Sequence, residues 1–96
     1  MLFPKTIFVD RNTILDQLDH IRSEVEEVRE AVERGDYEAA ADELVDVQQS
    51  ADTGLFILMQ KHGADSYDAY TRVALKNGDR GYYAPPVPPG SEEQSR

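Results

Sequence analysis

The sequence predicts an all-α domain, a helical hairpin followed by a third helix, with a four-helix-bundle-like core completed on oligomerisation. Three observations carry that prediction. Apolar residues alternate at four- and three-residue intervals through Ile14, Leu18, Ile21, Val25, Val28 and Val32, the mark of a helical seam. The pattern stops at Arg34-Gly35-Asp36, where Gly suits the left-handed residue that ends one helix and Asp suits the N-cap of the next. A chain of 96 residues buries only a modest core, too small to cover the apolar sides of two long helices.

Taken in order, residues 2 to 9 (LFPKTIFV) favour an extended stretch packed on the body, because Ile7, Phe8 and Val9 are strand formers. With Pro4 and Lys5 inside it and Asp10-Arg11 after it, this stretch lacks the long apolar region of a signal peptide, so residues 1–11 read as an ordered arm. Asp10, Asn12 or Thr13 offers an N-cap for a first long helix from about residue 12 to 34. Its seam packs in a core, while Asp16, Ser23, Glu27 and Glu30 point away from it. A second helix spans about residues 37 to 62 and is rich in small side chains: Ala39, Ala40, Ala41, Ser50, Ala51 and Gly54. Gly63 ends it, Asp65 or Ser66 caps a third helix, and Tyr67, Tyr70, Val73, Ala74 and Asn77 recur at helical spacing to about residue 77. KNGDRGYY follows, a turn with Gly78 and Gly81 that gathers Lys76, Asn77 and Arg80. The domain reads as residues 1–83, and 84–96 as a Pro-rich tail, extended and mobile.

Composition narrows the function. Nineteen acidic against ten basic residues give a net charge of −9, which argues against binding to nucleic acid or an anionic membrane. Without Cys, thiolate metal sites and Cys nucleophiles are excluded, and a reducing cytoplasm is the expected compartment. The apolar run Leu55–Met59 is far short of the roughly 20 residues needed to span a bilayer.

The acids themselves are patterned. Glu27 and Glu30 are three apart, Glu43 and Asp46 are three apart, and twelve residues separate the pairs. Residues three apart share a helix face, so each pair aims its carboxylates one way. Measured from the turn, Glu30 and Glu43 lie roughly 8 and 11 Å along their helices, and Glu27 and Asp46 roughly 13 and 16 Å. The pairs are level. Four converging carboxylates either raise each other's pKa or recruit hard divalent cations, chiefly Mg²⁺.

These residues resemble a known family, the all-alpha nucleoside triphosphate pyrophosphohydrolases of the MazG type, related to dimeric dUTPases. The family pattern is E-x-x-E, a spacer of a dozen or more residues, then E-x-x-D. Here it reads Glu27-Val28-Arg29-Glu30, twelve residues, Glu43-Leu44-Val45-Asp46, with KNGDRGYY similar to the N-x-x-R-G-Y-Y ending of short members. The resemblance covers about residues 14 to 83. It implies hydrolysis of an NTP or dNTP to the monophosphate and pyrophosphate, a housecleaning role in the nucleotide pool, and assembly as a homodimer or homotetramer. It also implies that Glu27, Glu30, Glu43 and Asp46 hold Mg²⁺, or Mn²⁺ in its place, and activate water through it, with Lys76, Asn77 and Arg80 as substrate contacts. The alternative is a noncatalytic acidic helical module that dimerises or docks on a partner through its apolar seam. Mg²⁺ separates the two readings.

Overall fold

The computed structural model describes residues 1–85, and the Pro-rich stretch beyond Pro85 lies outside them. Among the described residues there are four helices and no strand: α1 (Phe8–Arg11), α2 (Ile14–Glu33), α3 (Tyr37–His62) and α4 (Ser66–Asp79). The two long helices pack against each other as the expected hairpin, α1 lies on α3, and α4 leans on α3 from the other side of a short turn. No helix among these residues is long and apolar enough to cross a membrane.

Helix ends follow local chemistry. Thr13 and Asp16 cap α2 reciprocally, the Asp16 amide donating to Thr13 Oγ1 at 3.1 Å and the Thr13 amide to Asp16 Oδ2 at 3.2 Å. At the other end Gly35, with φ of 75°, lets the Gly35 amide reach the Val32 carbonyl and the Asp36 amide the Ala31 carbonyl, both at 2.9 Å. Asp36 then caps α3 by accepting from the Ala39 amide at 3.1 Å. The KNGDRGYY turn closes α4 in the same manner. Gly81 has φ of 74°, its amide donates to the Gly78 carbonyl at 3.0 Å, and the Tyr82 amide donates to the Asn77 carbonyl at 2.9 Å.

Two expectations are corrected. Residues 7–9 are not extended. The chain turns into α1 there, because burying Val9 completely against the body outweighs the strand preference of these side chains. The seam of α2 is also rotated. The residues turned to α3 follow the row 14, 17, 21, 24, 28 and 31. Gln17 is 2% exposed and Ala31 is buried, whereas Leu18, Val25 and Val32 remain 50%, 43% and 46% exposed. Hydrogen bonding decides this frame: the Gln17 amide nitrogen donates to the Ser50 carbonyl at 2.9 Å, and Ser50 Oγ donates to Glu24. Polar groups taken into a helix interface need partners, and α3 supplies both at Ser50.

The far side of α3 is held by a buried carboxylate. Asp52, 5% exposed, accepts the Phe3 amide at 2.8 Å and the Tyr70 hydroxyl at 2.6 Å, tying arm, α3 and α4 together. Thr6 and Thr53 hydroxyls pair at 2.9 Å, the Lys61 ammonium donates to the Asn12 carbonyl at 2.9 Å, and Ser66 Oγ donates to the Leu55 carbonyl at 2.7 Å. These bonds fasten the arm and α4 along the C-terminal half of α3.

Candidate acidic site on the helical hairpin

The hairpin brings acids of both helices together. Glu27 on α2 meets Glu43 on α3, with the two carboxyl groups close enough to share a hydrogen bond when one is protonated. That hydrogen bond is the largest of the effects that push the Glu43 pKa upward. Burial and the negative charges of Glu27, Asp46 and Glu24 add to it. A carboxyl pair can share a hydrogen bond only if one member keeps a proton, so the upward shift follows from two acids facing each other without a cation between them.

Asp46 is one turn further along α3 and close enough for its charge to act on Glu43. Glu24, one turn before Glu27, belongs to the same electrostatic group and was not singled out from the sequence. Its carboxylate is fixed from two sides, by the Ser50 hydroxyl and by His20, whose Nε2 lies 3.3 Å from Glu24 Oε1. The signal was present, since Glu24, Glu27 and Glu30 repeat one three-residue interval along α2. Glu30 is exposed and is not among the acids that act on Glu43.

Lys76, Asn77 and Arg80 stand elsewhere, at the C-terminal end of α4. Their contacts there are local: the Asn77 carbonyl accepts from the Tyr82 amide, and Arg80 lies over the Tyr82 ring at 5.8 Å from its centroid, with Nη1 3.4 Å from the Tyr82 hydroxyl. Among the described residues, no hydrogen bond or ion pair joins this cluster to the carboxylates.

The donor chemistry suits a hard divalent cation, because every member of the group is a carboxylate oxygen donor. The side chains are not gathered into a coordination cage, however: among the described residues no three acidic or His groups converge as ligands. What the hairpin provides is a Glu27–Glu43 pair, with the Glu43 pKa raised by its neighbours, and two further carboxylates within electrostatic reach. No family model, curated protein or solved structure matches the chain.

Proposed function

We propose that the chain is a Mg²⁺-dependent nucleoside triphosphate pyrophosphohydrolase, cleaving an NTP or dNTP to the monophosphate and pyrophosphate. The observation that supports this most is the meeting of Glu27 and Glu43 across the hairpin, with Asp46 and Glu24 raising the charge around them. Such a pair resists full ionisation until a cation arrives, so cation binding and proton release are coupled there. In this reading Glu27, Glu43 and Asp46 hold the ion and Glu30 joins by rotation of an exposed side chain. Mn²⁺ would serve the same donors. Bound Mg²⁺ would screen the triphosphate charge and acidify a water. Glu24, held by Ser50 and His20, keeps the surrounding field negative and steadies the α2 side of the site. Lys76, Asn77 and Arg80 would contact phosphate after the end of α4 approaches, from the same chain or a second copy in a homodimer or homotetramer.

The test is a panel of NTPs, dNTPs and base-modified triphosphates with Mg²⁺, scored for pyrophosphate and monophosphate. Release of both from at least one substrate, lost on chelation, is the expected outcome. Inertness toward the whole panel, with no Mg²⁺ uptake by calorimetry, rejects the reading. A second reading, a noncatalytic module that associates through its helices, draws on the exposed Leu18, Val25 and Val32 row and on the lack of a converged ligand set. It expects indifference to Mg²⁺.

A further inference from the structure

Among the described residues Asp52 is the one buried acid, and it does not belong to the group of acids around Glu43. Its two hydrogen bonds, from the Phe3 amide to Oδ2 and from the Tyr70 hydroxyl to Oδ1, both come from neutral donors. No basic side chain and no amino terminus pairs with it among the described residues, where the ion pairs are His20 with Glu24 and Arg29 with Glu26. A carboxylate taken out of water among neutral donors alone keeps an uncompensated charge. Each oxygen also keeps a second acceptor position, since a carboxylate offers about four.

The carboxylate lines an open groove of about 360 Å³, together with Leu2, Gln48, Ala51, Leu55 and Tyr70, so that the arm, α3 and α4 each contribute a wall. Apart from Asp52, the Gln48 amide and the Tyr70 hydroxyl, that lining is apolar. Gln48 precedes Asp52 by four residues and shares its helix face, which sets an amide beside the carboxylate.

We propose that this groove binds a small primary amine in its ammonium form, carried on a short apolar arm. The unpaired charge of Asp52 selects a cation, and the apolar walls select the arm. Access to the carboxylate is narrow, at 5% exposure, which favours a compact head group. A guanidinium is a broad, flat fork that needs two free oxygens side by side, and a quaternary ammonium brings no N–H donor. The ammonium N–H groups go to Asp52 and to the Gln48 carbonyl, the ring of Tyr70 adds an aromatic wall, and the arm lies on Leu2, Ala51 and Leu55. The inference uses no residue of the acidic site and stands whether or not the chain hydrolyses triphosphates.

The probe is n-butylamine at neutral pH, with n-butanol as its uncharged counterpart, and binding to the full chain is read by calorimetry, by the NMR shift of the Phe3 amide and by thermal melts. Butylammonium should bind in the millimolar range, move the Phe3 resonance and raise the melting temperature, because it ties together three elements of the folded state. Butanol at the same concentration should do none of these. Asp52→Asn, which keeps the size of the side chain and one acceptor oxygen, should weaken binding about tenfold or more. Because that change touches a structural bond, Gln48→Lys provides a second arm at an exposed position. It supplies an ammonium one helical turn from Asp52, so the melting temperature should rise and butylammonium binding should disappear. No uptake of butylammonium, or equal uptake of butanol, overturns the proposal. Binding that survives both variants, or that is abolished by Glu43→Gln instead, reports only cation attraction to the acidic hairpin and overturns it equally.

Discussion

Glu43 shows how a single carboxyl can report on the cation chemistry of the hairpin. Its pKa is raised above the ordinary 4.5, first by the hydrogen bond to Glu27, then by burial and by the neighbouring negative charges. A group whose folded pKa exceeds its unfolded value contributes stability that is fully present below the unfolded value and lost as pH rises through the folded one. In chelator, then, the wild type loses this contribution on going from pH 4.5 towards neutrality. Glu43→Gln should not, and its melting temperature at pH 7 should equal or exceed that of wild type. A Gln variant that melts well below wild type at pH 7 would contradict the repulsion between these acids. In the same variant, and in Asp46→Asn, triphosphate turnover should vanish while helix content stays, because a lost oxygen ligand opens no cavity. On the far side of α3, Tyr70 is pushed up to about 12 by its hydrogen bond to Asp52, with burial and the Asp52 charge adding. The same sign rule places the resulting stability below pH 10.0 and its loss between there and about 12. Tyr70→Phe should remove that alkaline step from a series of melts. Asp52→Ala should cost about 1–3 kcal/mol, since it removes the charged acceptor of the Phe3 amide and the Tyr70 hydroxyl.

At the scale of elements, α4 carries the sharpest open question, because its KNGDRGYY ending serves as a helix cap whether or not it binds phosphate. Gly81→Ala should destabilise by roughly 1–2 kcal/mol through its left-handed backbone alone, with φ of 74°. Arg80→Lys separates the roles. As a phosphate contact it should lose at least several-fold in kcat/KM with Mg²⁺ affinity unchanged, since Lys reproduces a bidentate contact poorly. As a partner of Tyr82 only, it should melt slightly earlier and turn over like wild type. Helix ends were legible in the sequence because Gly and Asp announce them: α3 begins and ends where Asp36 and Gly63 place it. The face of α2 was not legible. Counting apolar residues selects Leu18, Val25 and Val32, and the row actually turned inward contains Gln17, Glu24 and Ala31, whose fitness depends on Ser50, thirty-three residues away from Gln17. The approach of Glu27 to Glu43, with Asp46 near, was legible from spacing, whereas Glu30 stays exposed outside that group, and Glu24 was missed because its role depends on the same rotated frame. Lys76, Asn77 and Arg80 could be seen as cations near a turn, but the direction in which α4 leaves α3 is set by Tyr70 reaching Asp52 and Ser66 reaching Leu55.

At the scale of the whole molecule, the core among the described residues is thin: the buried apolar side chains are Val9, Ala31, Ala40 and Ile57, two of them alanines. If copies associate as proposed, the melting temperature should rise with protein concentration. A melt that stays fixed over about a hundredfold dilution series would show that the isolated chain suffices. The hydrogen bonds at Ser50 have a further consequence, concerning choice and not strength. Helix α2 carries two overlapping stripes that share Ile14, Ile21 and Val28, so it could sit on α3 in either of two rolls about its own axis. The greasier roll would hide Leu18, Val25 and Val32 and pull Glu24 out of the seam. Ser50 acts as a keyway that admits only the other one, since the losing roll leaves the Gln17 amide without its acceptor and the Ser50 hydroxyl without Glu24. Filing the key away with Gln17→Leu and Ser50→Ala together should let the helix roll, so that Leu18, Val25 and Val32 go under cover and the acids of the two helices no longer meet.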